Sequence, residues 1–193
     1  MTTRALVLVV LIITAASVSA AESQKDFDVV LRSDYYTLRL DAAQAYEAKK
    51  YDDAFQKFHR LACAGDKPSQ ATLGEMYLTG KGVERNDLTG YEWVKTASEY
   101  NFPAYRQVSK AIEDNLTPAQ SNATGPRVAE LLSLYGMRAT NMSCELRAST
   151  TSTASNIRDA VQCTPDRFNG SHQVLLHRCL DDKEVASRIP KSQ

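Results

Sequence analysis

The chain has 193 residues, with 23 Lys+Arg balancing 23 Asp+Glu and a hydrophobic content of 43%. Balanced charge offers no basic surface to displace counterions from a phosphate backbone, which excludes nucleic-acid binding as a function class. The length and apolar content suit one globular core with an appendage.

The N-terminus reads as a targeting segment. "MTTR" places a positive charge at Arg4, "ALVLVVLII" is apolar, and "TAASVSA" follows. Val18 and Ala20 stand at −3 and −1 of a cleavage site, so residues 1–20 are expected to be a secretory signal peptide. The apolar run is shorter than the roughly 20 residues of a comfortable span, although a retained anchor is the alternative reading. No second apolar stretch follows, so no membrane span is expected after cleavage. Residues 21–33 are expected to be a flexible N-terminal segment.

Two helical hairpins come next. "DYYTLRLDAAQAYEAKK" carries Leu38, Ala42, Ala45 and Tyr46 on one helical face. "YDDAFQKFHRLACAGD" does the same with Ala54, Phe58, Leu61 and Ala62 and stops at Gly65. Asp52 and Asp53 suit the unpaired amides of its first turn. The second hairpin repeats the plan, with Leu73 and Tyr77 inward on its first helix and Trp93 and Ala97 inward on its second. Ala54 falls on Gly90, Leu61 on Ala97, Ala62 on Ser98 and Gly65 on Asn101, each 36 residues apart. A period of this size marks a helical repeat array.

Gln70, Leu73, Gly74, Tyr77, Gly80, Gly82, Val83, Trp93 and Ala97 together resemble the Sel1-like repeat, a relative of the tetratricopeptide repeat. The family pattern gives each a structural role: Gly74 for close helix approach, Gly80 and Gly82 for positive φ, Val83 as a plug and Trp93 as the filler between hairpins. Asn86 stands at the cap of the second helix. Ser69, Gly90 and Asn101 depart from the pattern, and Gly90 is expected to cost about 1 kcal/mol relative to Ala. The pattern then decays. "PAYRQVSKAIEDN" puts Val108 and Ile112 inward, and Thr117–Pro118 opens a further helix bearing Val128, Leu131, Leu132 and Leu134. This is expected to be a degenerate closing repeat, making residues 34–138 the repeat domain.

Residues 139–193 form a small cysteine-containing region of β-branched and alternating character. A hairpin is expected around a turn near Thr153, with a third strand over 173–180. The four cysteines, Cys63, Cys144, Cys163 and Cys179, allow three pairings. Near-symmetric placement about the turn favours a disulfide between Cys144 and Cys163, with Cys179 close enough to compete. Cys63 reads as a buried thiol. The spacing of His172, His177 and Cys179 matches no common metal-ligand set, and His59 is expected on the surface. The acidic pair Asp181–Asp182 reads as a cap or solvated charge. No metal, cofactor or catalytic residue is expected.

The expected architecture is mainly α: an α-solenoid of helical hairpins with a small C-terminal disulfide-bearing segment that includes a β-hairpin. The resemblance implies an exported, periplasmic or secreted, non-catalytic module that binds a protein or peptide through the concave face of its first-position helices. Gln70, Glu75, Gln107 and Lys110 are the candidate contact residues. The rival reading is a periplasmic hydrolase of cell-wall material with its chemistry in the C-terminal region. A third is a structural protein whose tail covers its own repeat array. Sequons at Asn115, Asn122, Asn141 and Asn169 would matter only in a eukaryotic secretory pathway.

Overall fold

The structure is a computed structural model and describes residues 27–146, 161–166 and 172–180. The signal segment, the turn near Thr153, Asn169 and Asp181–Asp182 lie outside the described residues. Among the described residues there are six helices: α1 (Arg32–Glu47) packs with α2 (Tyr51–Cys63), α3 (Lys67–Thr79) packs with α4 (Asp87–Ala97), and α5 (Pro103–Glu113) and α6 (Pro118–Tyr135), expected to form a closing hairpin, each pack on α4 instead. Four short strands accompany them: β1 (Phe27–Leu31), β2 (Met142–Leu146), β3 (Val161–Pro165) and β4 (Gln173–His177). None of the described helices is long and apolar enough to cross a membrane.

Local chemistry sets the helix ends. Asp66 caps α3 by accepting from the Ser69 amide at 2.9 Å, and Asn86 caps α4 by accepting from the Thr89 amide at 3.0 Å. Thr117 and Gln120 form a reciprocal box at the start of α6, just ahead of Pro118. Each cap satisfies amides that the first turn leaves without an intrahelical partner.

The crossing of α3 and α4 explains Gly90. A β-carbon on Gly74 would lie 2.6 Å from Val94 Cγ2 and 2.8 Å from the Gly90 carbonyl oxygen. One on Gly90 would lie 2.7 Å from Leu78 Cγ and 2.9 Å from the Gly74 oxygen. Gly90 is therefore no simple weakening of the helix. The two glycines let the backbones meet, and the propensity cost is offset by closer packing.

Gly82 is constrained twice. Its φ is +71°, and an added β-carbon would sit 2.2 Å from the Tyr51 carbonyl oxygen. Gly82→Ala is expected to cost about 2–4 kcal/mol, from a disfavoured backbone region plus a clash with backbone that cannot rotate away. Gly125→Ala on α6, where nothing lies within 4 Å, is the control and should be neutral or slightly stabilising. Urea denaturation of both checks this; equal midpoints would contradict it.

α5 departs from expectation. Val108 is 47% exposed, while Tyr105 and Ser109 are buried and Ile112 is half-buried. Starting at Pro103, the helix turns Tyr105, Ser109 and Ile112 inward at i, i+4 and i+7.

The strands form two separate antiparallel pairs. β2 pairs with β3, placing Cys144 opposite Cys163. β1 pairs with β4, placing Phe27 opposite His177 and Leu31 opposite Gln173. Residues 27–31, expected to be part of a flexible segment, are thus a strand. The strand expected over 173–180 is β4, and its partner is β1 instead of the cysteine hairpin. A two-stranded ribbon is marginal alone, and both ribbons are held by alternate side chains. Val161, Cys163, Val174 and Leu176 are buried in one core with Tyr35, Phe58, Met76 and Tyr105 of the helices. A second cluster joins Ala62, Cys63, Leu73, Trp93, Leu131 and Tyr135 across α2, α3, α4 and α6.

Candidate partner-binding groove

Every residue from Leu61 to Gln70 is buried, although the stretch contains Asp66, Lys67, Ser69 and Gln70. Such a run persists only if each polar group is partnered. The Asp66 carboxylate accepts from the Ser69 amide and hydroxyl, from the Tyr35 hydroxyl at 2.6 Å, and faces Arg39 Nε at 3.4 Å. The Tyr35 oxygen also lies 3.1 Å from the Cys163 carbonyl oxygen. Burial, and then the Asp66 charge, hold the Tyr35 phenol well above its usual range, so it remains a neutral donor. Lys67 pairs with Glu99 at 2.6 Å and donates to Gln70 Oε1 at 2.9 Å. Burial lowers its pKa, and Glu99 opposes that shift. The seam therefore ties α1, the α2–α3 junction, the end of α4 and β3 together.

Above this seam lies a cavity of about 540 Å³. α1 contributes Tyr36, Arg39, Leu40 and Ala43; α3 contributes Pro68, Ser69 and Thr72; β3 contributes Val161 and Gln162. Leu40 is 57% exposed, a large apolar side chain on the wall of an open cleft. Tyr36 and Arg39 flank it with one aromatic ring and one cation.

The four residues singled out in the sequence do not share this site. Gln70 is fully buried, with its amide donating to the carbonyl oxygens of Ala62 at 2.9 Å and Tyr135 at 2.8 Å. It is a bracket between α2, α3 and α6 and has no free surface to offer. Glu75 is half-buried beside the loop after α3, accepting from Tyr46 at 2.6 Å and facing Lys81 at 3.3 Å. Gln107 and Lys110 lie exposed on α5, and Lys110 pairs with Asp114 at 2.7 Å. The groove residues Arg39, Leu40 and Thr72 were missed. Leu40 alone carried a signal: it lies off the Leu38–Ala42–Ala45 face of its helix.

The cysteines form two disulfides, Cys144–Cys163 within the β2–β3 ribbon and Cys63–Cys179 between α2 and the residue pair after β4. Cys63 is thus not a thiol. Its bond closes 116 residues, and a loop of that order stabilises by about 4.7 kcal/mol in the chain-entropy account. His59 is also not a surface residue. Its ring stacks on Phe55, meets Trp93 edge-on, and places Nδ1 3.4 Å from Cys179 Sγ. The ligand atoms of His59, Cys63 and Cys179 lie within 4.8 Å of one another, yet both sulfurs are committed to the disulfide and offer no thiolate to a metal. Of the pair weighed with Cys179 in the sequence, His172 is exposed and His177 is half-buried in β4.

Burial lowers the His59 pKa below 6.5. The unfolded chain then takes up this proton before the folded chain does. Stability is full above pH 6.5 and falls as pH drops from there toward the folded pKa. The melting-temperature difference between the parent chain and His59→Gln is expected to shrink through that window. A difference that stays constant from about pH 7.5 to about pH 5 would contradict it.

No model of a known protein family matches the chain, and no curated protein matches it. Among solved structures, the chain is similar to a protective antigen present in uropathogenic Escherichia coli strains, described as displaying an SLR fold. The two are 22% identical with a TM-score of 0.43, over 53% of this chain and 23% of the antigen. The chain thus matches about a quarter of that protein's length.

Proposed function

We propose that the chain is an exported, non-catalytic interaction module of Sel1-like type, and that it binds a protein or peptide segment in the groove between α1, α3 and β3. The observation that supports this reading is the exposed Leu40 in an open cleft beside Tyr36 and Arg39. An apolar anchor flanked by aromatic and arginine side chains is the composition of interface centres. Gln107 and Lys110 on α5 extend the candidate surface; Gln70 does not. Export rests on the signal pattern of residues 1–20, with cleavage after Ala20, and two disulfides suit an oxidising compartment such as the periplasm. The hydrolase reading gains nothing from the described residues of the C-terminal region. Its described acids, Glu145 and Asp166, are both exposed and line neither cavity.

The test compares capture of exported proteins by the mature chain and by Leu40→Asp, Ala43→Arg and Lys110→Glu. The two groove changes should abolish capture of a partner while leaving melting nearly unmoved, because Leu40 is exposed and Ala43 is half-buried on the cleft wall. Retained capture by both groove variants would reject the groove. Loss with Lys110→Glu alone would move the site to α5.

A further inference from the structure

A second cavity, of about 220 Å³, opens on the layer of α2, α4 and α6. Water occupies about 30 Å³ of liquid, so this is the space of about seven waters, or of one long side chain. Tyr77, Trp93 and Tyr135 give it aromatic walls, and the Cys63–Cys179 disulfide lines it too. Its charged groups are Glu92 on α4 and Arg127 and Glu130 on α6.

These charges do not balance. Arg127 Nη1 donates to Glu130 Oε2 at 2.6 Å. Glu130 Oε1 is buried and has no hydrogen-bond partner, in a side chain only 13% exposed. Glu92 has no ion-pair partner among the described residues. Burial pushes its carboxyl up; Arg127 opposes that and Glu130 adds to it. His59, held below its usual pKa by burial, supplies no positive charge near neutrality. Two carboxylates therefore face one guanidinium, and a buried oxygen waits for a donor. A buried acceptor is unfavourable without a donor, and a ligand group that carries N–H or O–H supplies one. The surplus negative charge asks for a cation. Arg127 in the same cavity repels a divalent metal ion, whereas aromatic walls favour an organic cation.

We propose that this cavity receives the cationic end of a lysine or arginine side chain from a partner peptide, with its N–H groups donating to Glu130 Oε1 and to Glu92 and its stem packed against Trp93 and Tyr77. The site is separate from the groove and does not rest on it, since the two share no lining residue.

Trp93 is the only tryptophan in the chain, so its fluorescence reports this cavity directly. The oxidised mature chain is titrated with Gly-Lys-Gly and Gly-Arg-Gly amides, with the norleucine analogue, and with butylammonium. A basic tripeptide should change Trp93 emission saturably and bind at least about tenfold tighter than the norleucine analogue. Glu130→Gln and Glu92→Gln should each remove most of that preference at unchanged melting temperature, and Leu40→Asp in the groove should retain it. Equal binding of the norleucine peptide, absence of a saturable signal with both basic peptides, or glutamine variants that titrate like the parent would overturn the proposal. Butylammonium binding as tightly as the peptides would reassign the cavity to free amines and overturn its assignment to a peptide partner.

Discussion

Trp93→Ala is expected to cost about 3–5 kcal/mol and to bring the chain to the edge of unfolding. The ring is 6% exposed. It stacks on Tyr135 at 6.0 Å, meets His59 edge-on at 6.4 Å, and packs in one cluster with Ala62, Cys63, Leu73 and Leu131. Those partners come from α2, α3 and α6, so truncation opens a void where four helices meet. Domains of this kind are stable by only about 5–15 kcal/mol. Urea denaturation should show a large drop in midpoint, and partner binding should fall in step with the folded fraction. Trp93→Phe should lie between, since it keeps part of the buried ring. A variant that stays fully folded but no longer binds would place Trp93 on a contact surface instead.

Asp66→Ala is expected to be of similar size, about 3–5 kcal/mol, for a different reason. One carboxylate caps α3, holds the Ser69 hydroxyl, receives the Tyr35 phenol and balances Arg39. Alanine leaves the Arg39 charge, 21% exposed, without its counterion, and removes a cap worth about 1 kcal/mol. For a chain of this length the melting temperature should fall by roughly 10 °C. Asp66→Asn restores an acceptor for Ser69 and Tyr35 without the charge, so it should recover part of the loss. An alanine variant that melts with the parent would show that the seam carries no net stability.

The hairpin plan was legible because its signals are local. Gly80 at the left-handed end of α3, Asn86 at the start of α4, Thr117–Pro118 at the start of α6 and the recurrence every 36 residues all act within a few residues of themselves. The site was not legible, because it depends on partners far along the chain. Gln70 reads as a polar side chain on a helix face, yet the Tyr135 carbonyl that buries it is 65 residues away. His59 and Cys63 are covered through Cys179, which is 116 residues from Cys63. β1 has no periodic signal strong enough to announce a strand, and it forms because β4 presents a matching edge. The open cleft beside Leu40 likewise exists only once β3 has docked against α3.

The most direct measurement of the central claim is site-specific photocrosslinking from the groove. A photoreactive side chain is placed at Leu40, and in separate chains at Gln56 on α2 and at Ser133 on α6, all three positions exposed. The account predicts that a partner is captured from position 40 and from neither control, and that Ala43→Arg in the same chain removes the adduct. Equal adducts from all three positions, or an adduct from position 133 and none from position 40, would contradict it.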